Sequence, residues 1–254
     1  MSAVDLGLRD KCALVTGAGG GIGTAICVVL ARLGCHLTLC DIDAPALERT
    51  GNAIAQPGRR HATLCFDLGD GIACESAIRS AAQSMGQLDI VIHAGARLER
   101  APIDAVSLQM LQAMTSVNMW GSFFIARAAA QLMAQSGGGA IVLFSSQGAY
   151  TGGYAGSTVY SMTKAAVGAL VKSLAREYAG RNVRVNGVAP GAIDTPMMQL
   201  GLSQDAIARF LKMIPMRRMG SPEEVALCCA FLASTASQYV TGQILQVNGG
   251  QLMP

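Results

Sequence analysis

Charge is scarce in this chain. Asp, Glu, Lys and Arg make up 14% of its 254 residues and aromatics 5%, with a single Trp. Disorder needs the reverse, few apolar groups and much charge, so a chain that is 51% apolar folds. The 19 Lys and Arg residues are scattered, and Arg59-Arg60 and Arg217-Arg218 are the adjacent pairs. Nucleic acid is recognised by a clustered basic face, so no nucleic-acid partner is expected. No run of about 18 apolar residues is present, which excludes a membrane-spanning helix. The eight cysteines contain no CxxC, and His36, His61 and His93 form no ligand-spaced cluster with them, so no metal site is expected. Cysteines in runs such as Cys12-Ala13-Leu14-Val15 act as small hydrophobes. Met1–Leu8 has no signal-peptide pattern, and together these features lead us to expect a cytoplasmic protein. No repeat and no linker-like break in composition divides residues 1–254, which read as one domain.

What the chain has is alternation. Short apolar runs at Cys12–Val15, Leu37–Asp41, Ala62–Phe66, Leu88–Ile92, Ala140–Phe144, Val183–Val188 and Ile244–Val247 read as strands, most of them buried on both faces. Between them lie helical patterns. Ile22, Ala25, Ile26, Val29, Leu30 and Leu33 form the stripe of a first helix, and others are predicted at Pro45–Ala55, Gly71–Met85, Leu108–Gln135, Val159–Tyr178 and Pro222–Ala233. Alternating β and α implies right-handed crossovers. The predicted fold is α/β, a Rossmann-type doubly wound parallel sheet of about seven strands in three layers.

The first strand runs into Thr16-Gly17-Ala18-Gly19-Gly20-Gly21-Ile22-Gly23, which opens the first helix. Glycines let the backbone turn sharply and approach a pyrophosphate, while the helix N-terminus offers free N–H groups and positive dipole. A glycine turn alone also serves mere packing, but here a strand precedes it and an amphipathic helix follows. Asp41 stands 18 residues after Gly23, at the end of the next strand. A carboxylate there accepts from an adenosine 2′-hydroxyl and repels a 2′-phosphate, favouring NAD over NADP.

Thr16-Gly17…Gly21…Gly23, taken with Tyr160-Ser161-Met162-Thr163-Lys164, resembles the short-chain dehydrogenases/reductases over essentially the whole chain. The likeness extends to Asp67, Ala94-Gly95, Asn118, Ser145-Ser146, Asn186…Pro190-Gly191…Thr195, and Thr241-Gly242-Gln243…Asn248-Gly249-Gly250. It implies a nicotinamide site built from Gly17, Gly20, Gly21, Ile22, Gly23, Asp41, Ile42, Asp67, Leu68, Ala94, Gly95, Tyr160, Lys164, Pro190, Gly191, Ile193 and Thr195. The catalytic set would be Asn118, Ser146, Tyr160 and Lys164. By resemblance Ser146 holds the substrate oxygen, Lys164 also binds the nicotinamide ribose, and Asn118 positions a relay water beside the lysine.

The residues support that chemistry independently. Tyr160 and Lys164 are four apart, one turn along one helix face. A phenol's ordinary pKa near 10 is too high for proton exchange at neutral pH. An adjacent ammonium, helped by a positive nicotinamide, is expected to lower it, making Tyr160 a general base in alcohol oxidation and a general acid in ketone reduction.

Three departures from the family pattern stand out. Where two asparagines usually precede Ala-Gly, the chain has Ile92 and His93, and His93 is expected to replace a structural hydrogen bond. Ser146 lies 14 residues before Tyr160 rather than the commoner 13, leaving Ser145 as a rival for the substrate oxygen. Asn248 replaces a frequent Asp. A lid over about 194–216, rich in Met and Leu, is expected to cover the substrate. Gln147, Tyr154, Tyr160 and Arg97 are candidate substrate contacts. The expected substrate is a small secondary alcohol, ketone or polyol. A 3-oxoacyl-[acyl-carrier-protein] reductase is the alternative, and a non-catalytic NAD-binding protein a third reading. Asp41, and a 126–137 segment whose one basic residue is Arg127, weigh against the carrier-protein enzyme. A homotetramer is implied by the resemblance, and the uncharged stretch Leu108–Ala126 fits an interface.

Overall fold

The structure is a computed structural model that describes residues 5–154, 156–199 and 203–253. Seven strands form one sheet: β1 (Cys12–Thr16), β2 (His36–Asp41), β3 (His61–Cys65), β4 (Ile90–His93), β5 (Gly139–Phe144), β6 (Val183–Pro190) and β7 (Ile244–Val247). Their order is β3-β2-β1-β4-β5-β6-β7, and every pairing is parallel. The strand order reverses between β1 and β4, and a crevice opens beyond the strand C-termini at such a point.

Helices cover both faces. The first packs α1 (Gly21–Arg32), α2 (Ala44–Ile54) and α10 (Pro222–Ala233) on the sheet through Ile26, Leu30, Leu47, Val225 and Leu232. The second packs α3 (Gly71–Met85), α5 (Ser122–Gln135) and α7 (Thr158–Tyr178) through Ile78, Ile125, Met133, Val167 and Val171. Each such fully buried aliphatic contributes about 1.5–3 kcal/mol. Central strands are buried on both faces, as their unbroken apolar runs require. Edge strand β3 is not: its side chains alternate between exposed and half-buried, because it has a neighbour on one side only.

Several helix starts are capped by the side chain the sequence supplies there. Asp43 accepts from Ala46 N, Asp70 from Ile72 N and Ala73 N, and Ser221 forms a capping box with Glu224. Helix α1 differs. Its N-cap is Gly20, with no side-chain cap and no acid in its first turn, so its N–H groups face the crevice unclaimed.

The predicted helix Leu108–Gln135 is instead α4 (Leu108–Thr115), a π-helical segment at Ser116–Gly121, and α5. Hydroxyls drive the break. Thr115 and Ser116 donate to the carbonyls of Leu111 and Gln112 at 2.7 Å, and Ser122 donates to that of Asn118 at 2.6 Å. Such back-bonding loosens the helical ladder. Between β5 and α7 the chain passes through α6 (Gly148–Thr151) and a turn in which Gly152, Gly153 and Gly156 all have positive φ.

His93 ends β4 and is 1% exposed, with Nδ1 2.7 Å from Thr16 Oγ1 at the end of β1. It supplies the structural hydrogen bond expected of it, tying β4 to β1. Burial, reinforced by the charge of Lys164, lowers its pKa from 6.5 to about 3. The unfolded chain therefore binds this proton where the native chain does not, and stability falls as pH drops through the window from 6.5 toward about 3. Urea unfolding of wild type and His93→Asn should show it: the wild type loses up to ~1.4 kcal/mol per pH unit more than the variant across that window. Parallel slopes would mean that the histidine does not titrate on unfolding.

Candidate active site

Two connected hollows lie beyond the C-terminal ends of β1, β2, β4, β5 and β6. The first, of about 480 Å³, is lined by Gly17, Gly19, Gly20, Asp41, Ile42, Asp67, Leu68, Ala94 and Gly95, among others. Its floor exists because side chains are missing. Gly17 has φ +68, and a Cβ on it would lie 2.6 Å from Gly95 Cα. A Cβ on Gly23 would lie 1.9 Å from the Gly17 carbonyl, so the turn cannot close onto α1 with any other residue there. Asp41 pins the turn from beside it, accepting from Gly19 N at 2.9 Å and Asp43 N at 3.1 Å. Ile42 stands 66% exposed at the rim. An uncapped helix N-terminus over a glycine floor, with a carboxylate at the far side, fits a dinucleotide in its pyrophosphate and ribose parts.

The second hollow, of about 360 Å³, shares Ala94, Ala96 and Met197 with the first. Ser145, Ser146, Gln147, Tyr154, Tyr160 and Lys164 line it together with Ile22, Pro190, Gly191, Ile193 and Thr195. Lys164 is 1% exposed, and its ammonium donates to the Phe144 carbonyl at 2.8 Å while lying 5.6 Å from the Tyr160 ring centre. Gln147 is buried, and its Oε1 has no hydrogen-bond partner. The lid rises from a zipped base, where Asp194 N donates to Gly220 O and Gly220 N to Ala192 O. From it α8 (Pro196–Gln199) and α9 (Gln204–Lys212) bring Met197, Met198 and Phe210 over the hollow, with Met213 beyond α9. Residues 200–202 of the predicted lid lie outside the described residues. Phe210 meets Tyr154 edge-on at 5.4 Å.

A family model described as enoyl-(acyl carrier protein) reductase, adh_short_C2, matches residues 17–251. The chain is 36% identical over 263 residues to a (3R)-3-hydroxyacyl-CoA dehydrogenase of Rattus norvegicus, covering 99% of this chain and all of the relative. It is 38% identical over 251 residues to a galactitol 2-dehydrogenase (L-tagatose-forming) of Cereibacter sphaeroides, covering 96% and 95%. A solved short-chain type dehydrogenase/reductase of Mycobacterium marinum superposes with a TM-score of 0.93 at 30% identity over 98% of both chains. The chain belongs to the short-chain dehydrogenase/reductase family. Another solved structure, from Beutenbergia cavernae, has a TM-score of 0.92 at 32% identity over 98% and 99%, and is described as NAD(P) dependent with bound NADP at low occupancy.

Against the family pattern, some expectations shift. Gly21 and Gly23 lie in the uncapped first turn of α1, and a Cβ on Gly21 would lie 2.9 Å from Thr195 Cγ2. Arg97 faces the dinucleotide hollow, not the substrate side, because Glu99 holds its guanidinium at 2.6 Å. Arg100, three residues on, lines the substrate hollow instead and donates to the Tyr154 carbonyl at 3.1 Å. Nothing in the local run Arg97-Leu98-Glu99-Arg100 separates the two; the turn decides. Arg209, on α9, also lines that hollow. Asn118 lines neither hollow. Its amide donates to Arg97 O and Thr163 Oγ1 and accepts from Arg97 N, all within 3.1 Å, so its side chain fastens the segment after β4 to α7.

The expected acidity of Tyr160 is reversed among the protein's own groups. Burial pushes its hydroxyl up to about 12, and the charge that opposes this is that of Arg100. Lys164, turned toward the Phe144 carbonyl, is itself lowered by burial to about 8. Six cysteines are buried, Cys65 is exposed and Cys228 half-buried; all eight are free. Among the described residues no cluster could hold a metal ion.

The two serines separate cleanly. Ser145 Oγ donates to the Lys164 carbonyl at 3.0 Å, committing its proton to α7, whereas Ser146 Oγ accepts from Gly148 N at 3.1 Å and keeps its proton for the hollow. Ser146→Ala should lower kcat at least about tenfold, and Ser145→Ala should cost about 0.5–1.5 kcal/mol of stability with kcat little changed. Steady-state kinetics with urea unfolding on both variants checks this, and the opposite pattern would reassign the substrate oxygen to Ser145.

Proposed function

We propose that this chain is an NAD-dependent dehydrogenase/reductase of secondary alcohols and ketones, with Tyr160 as the acid/base group. One observation carries the reading: Tyr160, Ser146 and buried Lys164 converge on a single hollow that opens into the dinucleotide hollow. The dinucleotide, when bound, supplies the hydride acceptor or donor, and its oxidised ring adds positive charge. Ser146 donates to the substrate oxygen and Tyr160 takes or gives its proton. Lys164 stays cationic at neutral pH and stabilises the phenolate. Asn118 keeps α7 and the segment after β4 in register.

NAD rather than NADP is supported by Asp41, with Asp43 and Asp67 on the same rim. A 2′-phosphate would meet carboxylates there. The apolar lid, with Leu98 and Ile193, favours a substrate with apolar bulk over a polyol such as that named for the Cereibacter relative. Against a carrier-protein enzyme, Arg127 is held by Glu75 and stacked near Phe123 and Phe124, leaving it poorly placed for an acidic partner. A pure NAD binder has no use for a buried ammonium beside a phenol. A homotetramer is supported by exposed Leu108, Trp120 and Met162 on α4, the π segment and α7. Among the described residues no helix is long and apolar enough to cross a membrane. Eight free cysteines suit a reducing cytoplasm.

Tyr160→Phe should lower kcat for alcohol oxidation by at least about a thousandfold while NADH binding by calorimetry persists; wild-type turnover would overturn the assignment. Asp41→Ser should shrink the NAD over NADP preference in kcat/KM by about tenfold or more, and a wild type that prefers NADP would refute this reading of Asp41.

A further inference from the structure

The substrate hollow has a one-sided charge. Arg100, Lys164 and Arg209 line it, and among the described residues no Asp or Glu does. The remainder is largely apolar: Leu98, Ile193, Met197, Met198, Phe210 and Met213. Nearby acids are spent or turned away. Glu99 holds Arg97, and Asp205, one turn before Arg209 on α9, is exposed and forms no ion pair among the described residues. Lys164 sits deep at the reacting end. Arg100 is half-buried and fixed through the Tyr154 carbonyl, and Arg209 is exposed on α9, one residue before Phe210, whose ring meets that of Tyr154.

We propose that the substrate carries an oxyanion, a carboxylate or phosphate, on an apolar body, with its alcohol or ketone at Tyr160 and the anion held by Arg209 on the lid together with Arg100. This rests on the oxidoreductase reading of the same hollow and narrows it to amphipathic anions. Guanidinium groups recognise both oxyanions through paired, charge-assisted bonds. An apolar passage and positively charged side chains with no lining carboxylate favour an amphipathic anion, whereas a polyol leaves its hydroxyls unmatched along the lid.

The test uses a homologous series of methyl ketones ending in a carboxylate, a phosphate or the methyl ester of that carboxylate. They are reduced with NADH by the full-length protein, and their binding to it is measured separately by thermal shift. An anionic member of best-fitting length should exceed its ester in kcat/KM by about tenfold or more, mostly through KM, and should bind more tightly. The carboxylate and phosphate arms tell the two anions apart. Arg209→Gln should bring the anion down to the ester's level, with Arg100→Gln as a second variant and Lys212→Gln, exposed on the same helix, retaining the preference. Equal binding of ester and anion, or a preference that survives both arginine variants, overturns the proposal. Preferential anion binding with no NADH consumed by any member would instead support the anion site and refute the hydride-transfer reading.

Discussion

A lysine ammonium withdrawn from water is the constraint around which this site is organised. Lys164 has one carbonyl, that of Phe144, to replace its hydration, and the remaining surroundings are largely apolar. Removing an ammonium from water costs several kcal/mol, more than one hydrogen bond returns. Folding tolerates that cost because α7 is anchored elsewhere, by Val167, Val171 and Leu174 on the sheet and by the Ser145 hydroxyl on the Lys164 carbonyl itself. The result is a fixed positive charge one helical turn from a phenol, in a medium too dry to screen it.

The parallel sheet serves that charge by geometry. Strand ends β4, β5 and β6 stop at successive walls of the hollow, and β1 hands the chain to the glycine turn next door. The two hollows share Ala94, Ala96 and Met197, and the floor of the first forms where Gly17 and Gly95 approach more closely than side chains permit. Two polar side chains at the site act as fasteners. Asn118 ties the segment after β4 to α7, and His93 ties β4 to β1.

What was legible beforehand follows from locality. The glycine turn, Asp41 at a strand end and the four-residue Tyr160–Lys164 spacing each depend on a few neighbouring residues, and the alternating apolar runs define the sheet and its helices. What was not legible depends on three-dimensional environment. The π segment arises from hydroxyl back-bonds inside a pattern that reads as continuous helix. Ser145 and Ser146 differ only in which way each hydroxyl is turned, and Arg97 and Arg100 only in how the chain turns between them. The direction of the Tyr160 shift was misjudged because spacing shows which charge is near but not how much water is removed. Burial outweighs the opposing charge of Arg100.

The account therefore requires two stages: a phenol kept neutral by the folded chain, then made acidic once positive charge arrives beside it. Ultraviolet difference titration of tyrosinate, wild type minus Tyr160→Phe, measures this directly. The account predicts that Tyr160 in the protein alone resists ionisation until near its raised value of about 12, and ionises at clearly lower pH when NAD⁺ is added. An unchanged titration on adding NAD⁺, at a concentration where calorimetry shows it bound, would contradict it.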